Sequence, residues 1–303
     1  MNAALRTQAE RDANGLRVRA QRDVSTALSG AYRSAYRGQG LTFEELRDYE
    51  AGEDAAHIEW NATARLGYPV AVQMREERDL LLALLVDVSP SLGVGFGDAT
   101  KLDAVRRAAA ALAVAAVRAS DRVALATFGS GLVHTLRPGT GPAHLERLFR
   151  ALYERAPAGP TDAAPALAWA ADTLPRHSVV VLLSDLLFPD PAVALANCAR
   201  KHELAVLRVS DPADSLPDRM AMAPVRVAPA EEGHPTLWRG RPTRWRGRAT
   251  LWNTRRRRSR QLAPLPEGPL RKRGARCGVL QTGPDLIPSL HRFLEQHRGR
   301  RFQ

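Results

Sequence analysis

Asp87, Ser89 and Ser91 alternate along one short loop, Asp87-Val-Ser89-Pro-Ser91, and bring one carboxylate and two hydroxyls to a common point. Two more loops carry matching groups, Gly159-Pro-Thr161-Asp162 and Ser184-Asp185. Oxygen donors of this kind suit a hard divalent cation, Mg2+ first, with Mn2+ or Ca2+ as alternatives. Ser89, Ser91 and Thr161 can ligate directly through neutral hydroxyls, while Asp87 and Asp185 hold coordinated waters by charge-assisted hydrogen bonds. Neutral ligands leave the ion electron-poor, so its free position favours an incoming carboxylate, an Asp or Glu of a protein partner. The absence of His and thiolate from the loops argues against zinc. Plain structural roles compete with this reading. Thr161 or Asp162 would serve equally as the cap of the next helix, and Asp185 as the cap of a turn.

Such loops need rigid strands behind them, and the flanking sequence supplies these. Asp79–Val88 reads as a strand around the continuous apolar run Leu80–Val86, as expected of a strand buried on both faces in a parallel sheet. Lys101–Ser120 reads as an Ala-rich helix. Arg122–Phe128 and Leu132–Leu136 are short strands separated by the hairpin signal Gly129-Ser-Gly131. Pro142–Tyr153 and Thr161–Leu174 have helical character, Val179–Leu183 is a buried strand, Pro191–His202 a helix and Leu204–Val209 a strand. This alternation predicts an α/β fold with a doubly wound, mostly parallel sheet, whose ligand-binding edge lies at the C-terminal ends of the strands. Residues 1–78 read as a helical and β extension, 79–215 as the main domain and 216–303 as a basic C-terminal segment. In the extension, residues 1–40 are helical, with Leu16, Val18 and Val24 too sparse for a core of their own. In the C-terminal segment Ala249–Leu262 reads as a basic helix, Arg276–Gln281 as a strand and Asp285–His297 as a closing helix.

Composition narrows the classes. The chain has 303 residues, 45% hydrophobic, and only Cys198 and Cys277 as cysteines, too few for a disulfide framework. No run approaches the roughly 18 apolar residues of a membrane span, and the N-terminus is polar, so a cytoplasmic protein is expected. The net charge of +12 is unevenly placed. Residues 235–303 hold 18 Lys and Arg against 3 Asp and Glu. Such a segment can attract nucleic acid or an anionic surface, which is the alternative function. No aromatic-basic motif of a nucleic-acid module accompanies it.

The loop set resembles a known site. Asp87-x-Ser89-x-Ser91, a threonine in the second loop and Asp185 in the third match the metal-ion-dependent adhesion site of von Willebrand factor A domains. Upstream, the stretch from Ser34 to Tyr49, then Gly52-Glu-Asp54 and Ile58-Glu-Trp60-Asn-Ala-Thr63-Ala-Arg65, is similar to the signature of the domain of unknown function 58 family. The resemblance spans about residues 30–210. It implies a von Willebrand factor A-like, Rossmann-like domain and a partnership with a MoxR-type AAA+ ATPase or its client. Glu53, His57, Glu59 and Leu92 depart from the residues the family favours, Asp, Arg, Asp and Met, and none of these is a proposed ligand.

Other chemistry fits less well. A phosphatase with an Asp nucleophile needs a second carboxylate two residues on, where this chain has Ser89. Neither Ser89 nor Ser91 lies in the Gly-x-Ser-x-Gly elbow of a serine hydrolase. The eight histidines lack paired spacing and are expected as surface or capping residues. Arg47, Asp48, Asp54, Glu59, Trp60 and Arg65 read either as a partner-docking surface or as an ion-pair network fastening the extension to the main domain. The expectation is a non-enzymatic, metal-dependent binding protein.

Overall fold

The computed structural model describes residues 3–36, 41–50, 53–54, 58–76, 80–96, 99–154, 159–215, 225–227, 240–243, 251–254 and 264–297. The chain opens with helices α1 (Ala3–Asp23) and α2 (Thr26–Tyr36), followed by β1 (Leu41–Asp48), α3 (Trp60–Leu66) and β2 (Val70–Glu76). β1 and β2 pair antiparallel as a separate ribbon. Next come β3 (Leu81–Asp87), β4 (Val94–Phe96), α4 (Lys101–Arg118), β5 (Arg122–Phe128), β6 (Leu132–Gly139) and α5 (Pro142–Ala151). They are followed by α6 (Ala164–Thr173), β7 (Val179–Ser184), α7 (Ala192–Lys201) and β8 (Glu203–Ser210). The last elements are β9 (Val225–Val227), β10 (Gly240–Thr243), β11 (Leu251–Thr254), α8 (Glu267–Lys272), β12 (Arg276–Gln281) and α9 (Leu286–Gln296).

The central sheet runs β12-β8-β7-β3-β5-β6. Every neighbouring pair is parallel except β5 with β6. All seven residues of β3 are buried, as its uninterrupted apolar run requires of a central strand covered on both faces. Side chains alternate between the two layers. Leu82, Leu84 and Val86 face a core shared with α1, α2, α4, α5 and α9, while Leu81, Ala83 and Leu85 face a second core with α6, α7 and α8. The doubly wound α/β fold expected from the strand-helix rhythm is the one observed.

The N-terminal helices acquire a core by leaning on α4. Leu16 and Val24 are buried, and Val18 remains 42% exposed. Arg107 of α4 holds Asp23 through two hydrogen bonds, and Arg118 donates to the Val24 carbonyl at 2.6 Å. The region Ala249–Leu262 departs from the helix expected of it. Leu251–Thr254 is strand β11, paired antiparallel with both β10 and β9, and residues 255–263 lie outside the described set. Pairing on both sides favours Leu-Trp-Asn-Thr in extended form over a charge-crowded helix.

Among the described residues two histidines are buried, contrary to the surface role expected of them. His144 is 3% exposed and His202 4%. Because a carbonyl oxygen can only accept, His144 Nε2 carries the proton it gives to the Val123 carbonyl at 2.7 Å, and Nδ1 accepts from Arg147. Burial, offset by the bond to Val123 and reinforced by Arg147, lowers the His144 pKa from its ordinary 6.5. The unfolded chain then binds this proton more tightly than the native state, so stability is lost as pH falls below about 6.5. Urea melts at pH 7.5 and 5.5 check this. His144→Gln is expected to lose less stability across that interval than the wild type, and equal losses would exclude the assignment.

Candidate metal centre

The connections of the sheet leave a crevice at the point where their direction reverses. From β3 the chain proceeds through α4 to β5 on one side, and it later returns to β7 on the other side of β3. α4 covers one face of the sheet and α7 the opposite face, so the C-terminal ends of β3 and β7 diverge from cover. Ligands of open α/β sheets bind at this switch point. Asp87 ends β3, and Ser184 ends β7 with Asp185 directly after it.

The first and third loops touch. Asp87 is fully buried. Its Oδ1 accepts the Ser89 amide at 2.9 Å, and its Oδ2 accepts the Ser184 hydroxyl at 2.6 Å. Burial and then the neighbouring Asp185 push the Asp87 carboxyl up to about 6, against the hydrogen bonds from Ser184 and Ser89. Such a carboxylate is poorly compensated, which suits a place beside a cation. Ser184 accepts the Leu186 amide at 2.9 Å, and Asp185 Oδ1 accepts the Leu187 amide at 3.2 Å. Leu186 sits at φ +61°, a left-handed conformation unusual for a leucine, and so turns the chain sharply behind Asp185.

The hydroxyls of the first loop are close and uncommitted to capping. Ser89 Oγ and Ser91 Oγ are hydrogen-bonded to each other at 2.9 Å. Ser89 precedes a 3-10 turn at Pro90–Gly93 without capping it by its side chain. Adjacent ligands on an octahedron with metal-oxygen bonds of 2.0–2.1 Å are separated by about 2.9 Å, so the spacing fits Mg2+. Among the described residues no group of three or more His, Cys, Asp or Glu side chains is arranged to hold a metal. The donor set here is two carboxylates with hydroxyls, which is hard and suits Mg2+, Mn2+ or Ca2+ rather than zinc.

The second loop is anchored next to the first. The Asp162 amide donates to the Gly129 carbonyl at 2.7 Å, just beyond β5, and the Val88 amide donates to the Phe128 carbonyl at 2.9 Å. Capping at this loop falls to Asp162, whose Oδ1 accepts the Ala164 amide, while the cap position itself is Ala163. Thr161 is 9% exposed and takes no part in the cap. Gly159 lies at φ +151°, and a Cβ there would stand 2.9 Å from Ser130 Cβ. Gly159→Ala is therefore expected to displace Thr161 and weaken Mg2+ binding about tenfold or less, with little change in melting temperature. Calorimetric titration checks this, and unchanged affinity would remove the second loop from the site.

Lys101 and Asp214 escaped the expected residue set, and Ser184, named with the third loop, was not among the expected ligands. Ser184 joins the two aspartates, as described. Lys101, the first residue of α4, is 3% exposed, and its Nζ donates to Asp185 Oδ2 at 3.2 Å and to Asp214 Oδ1 at 3.1 Å. Burial opposes the lysine's charge, but Asp185 and Asp214 outweigh it and raise the Lys101 pKa. A cation in the first turn of a helix opposes the helix dipole, and that is the signal that would have marked Lys101.

The upstream block is held together from within. Arg47 pairs with Glu53 at 2.5 Å, Tyr49 donates to the Glu53 carbonyl, and Glu59 caps α3. Trp60 is 66% exposed. No helix among the described residues is long and apolar enough to cross a membrane.

Similar proteins are known. An uncharacterized protein of Mycobacterium tuberculosis is 31% identical over 223 residues, covering 71% of this chain and 67% of the relative. An uncharacterized protein of Mycobacterium bovis matches to the same extent. Among solved structures, the conserved hypothetical protein BatB from Bacteroides thetaiotaomicron is similar over 72% of this chain and 98% of its own, at 16% identity and a TM-score of 0.46. A von Willebrand factor type A protein from Catenulispora acidiphila is similar over 77% of this chain and 45% of its own, at 13% identity and a TM-score of 0.41. Residues 45–257 match the family described as protein of unknown function DUF58, and the chain belongs to that family.

Proposed function

We propose that this protein is a non-enzymatic, metal-dependent binding module of the von Willebrand factor A type, which captures a partner's Asp or Glu through a divalent ion. The observation that carries the reading is the Ser89–Ser91 hydroxyl pair, 2.9 Å apart, set in front of the buried Asp87 at the switch point of the sheet. Ser89, Ser91 and Thr161 would hold Mg2+, or Mn2+ or Ca2+ in its place, and Asp87 and Asp185 would orient its waters. The ion supplies Lewis acidity for a carboxylate ligand; the chain supplies the geometry. No acid-base group stands two residues after Asp87, where Ser89 is found instead, and this supports a binding role over phosphoryl transfer.

The partner we propose is a MoxR-type AAA+ ATPase or its client, in a cytoplasmic setting. The test is capture of a purified MoxR-type ATPase by the immobilised full chain in Mg2+ and in EDTA. Retention in Mg2+ that is lost in EDTA is the expected result. Equal retention in both would refute metal-dependent binding.

A further inference from the structure

We propose that Lys101 is the resident cation of this site, neutralising Asp185 until a divalent ion arrives and then releasing Asp185 while keeping its bond to Asp214. The inference rests on the metal-binding reading above. The lysine side chain is only 4% exposed, and it lies between two carboxylates of different character. Asp185 is 3% exposed, whereas Asp214 is 35% exposed. Asp214 also accepts the Asp211 amide through Oδ2 at 3.0 Å, which fixes it beside the lysine.

A buried ammonium is retained only where its charge is matched. Nothing in α4 itself asks for one at this position. Thr100 and Asp103 already form a complete capping box, and the helix dipole disfavours a cation in the first turn. Electrostatic demand comes instead from Asp87 and Asp185, two buried carboxylates at the ends of adjacent strands. One lysine against Asp87, Asp185 and Asp214 leaves room for a further positive charge, but a divalent ion next to the ammonium is repelled by it. Moving Nζ toward Asp214 relieves that repulsion, because both contacts already exist at 3.1 and 3.2 Å and only their balance changes. Lys101 thus stabilises the metal-free protein and limits its affinity for the ion. Asp214 belongs to the 3-10 turn Pro212–Ser215 that follows β8, so occupancy of the site is felt at the exit from the sheet.

The test compares Mg2+ and Mn2+ affinity by calorimetry, and melting temperature in EDTA, for the full-length wild type, Lys101→Met, Lys101→Arg and Asp214→Asn. Lys101→Met is expected to melt lower in EDTA yet bind Mg2+ at least about tenfold more tightly, since its two buried carboxylates then depend on the ion alone. Lys101→Arg, which keeps the charge, should bind within a few-fold of the wild type. Asp214→Asn removes the charge of the lysine's second partner and is expected to weaken Mg2+ binding by several-fold. A purely structural lysine would lose stability and affinity together. If Lys101→Met folds and binds no better than the wild type, the proposal fails and metal binding stands. Binding by Lys101→Met where the wild type shows none supports it. Binding of neither ion by any variant overturns both this inference and the metal reading. Should Lys101→Met not fold, unchanged affinity in the half-exposed Asp214→Asn is enough to reject the exchange.

Discussion

Replacing Asp87 with asparagine is expected to abolish Mg2+ binding and, in the absence of metal, to make the protein more stable. The opposite signs follow from the same burial. Asp87 is fully buried next to Asp185, and its carboxyl is raised from an ordinary 3.8 to about 6. Because the folded value lies above the unfolded one, the wild type's stability is greatest below about pH 4 as far as this group is concerned, and it declines as pH rises to 6. At pH 7 the full cost is present, roughly 3 kcal/mol for a shift of about two units. Asparagine keeps an oxygen for the Ser89 amide and a polar partner for Ser184, without the charge. The melting temperature in EDTA at pH 7 should rise by several degrees, since about 1 kcal/mol is worth 2–4 °C in a chain of this class. At pH 4 the advantage should shrink, because the wild-type carboxyl is then protonated in the folded state. A variant that melts below the wild type in EDTA at pH 7 would show that hydrogen bonding outweighs charge at Asp87. One that still binds Mg2+ normally would remove Asp87 from the site.

Local pattern made much of the site legible. The run Leu80–Val86, bounded by Asp79 and Asp87, suits a strand buried on both faces, which puts Asp87 at its end, and Ser184-Asp185 emerge likewise after Val179–Leu183. Gly129-Ser-Gly131 marked the β5–β6 hairpin, whose Gly129 carbonyl now anchors the second loop. What escaped depends on contacts between distant residues. Lys101 and Asp185 are 84 positions apart, and Lys101 and Asp214 are 113 apart. A cation in the first turn of α4 marks Lys101 as unusual, but nothing within a window of one helix says which strand end its ammonium will face. His144 was hidden in the same way, since its partner is a backbone carbonyl 21 residues earlier. The β11 region misled because its arginine-rich flank resembles an exposed helix, whereas Leu251–Thr254 is governed by strands on both sides. Charge patterns report on solvent, and pairing in a sheet is decided elsewhere.

Truncating the chain at residue 263 is expected to leave no folded domain, although it removes what reads as a basic tail. β12 forms the edge of the central sheet by parallel pairing with β8, and α9 packs back on the same core. Leu280, Leu286, Leu290, Phe293 and Leu294 are each no more than 3% exposed. Losing buried side chains of this kind costs about 2–5 kcal/mol apiece, and five such losses, about 10–25 kcal/mol together, match or exceed the roughly 5–15 kcal/mol by which a domain is stable. A nucleic-acid role for the arginines therefore cannot be tested by C-terminal deletion. Internal excision is the alternative, and the structure shows where its ends meet. Asp214 is tied through Lys101 to Asp185, and the Leu265 amide donates to the Leu186 carbonyl at 3.1 Å, so both ends of residues 216–263 approach the same turn after β7. A short Gly-Ser linker can close that gap at little entropic cost. The excised protein loses all ten arginines found between residues 235 and 263, where no acidic residue stands. It also loses β9, the antiparallel partner of β4 just after the Ser89–Ser91 loop, so it is expected to melt cooperatively but to bind Mg2+ somewhat more weakly than the full chain, while the 1–263 truncation shows no cooperative transition by circular dichroism. A folded truncation would show that β12 and α9 are dispensable to the sheet. Salt-dependent binding to duplex DNA, if the full chain has it and the excised form does not, would assign a nucleic-acid role to the arginines independently of the metal centre.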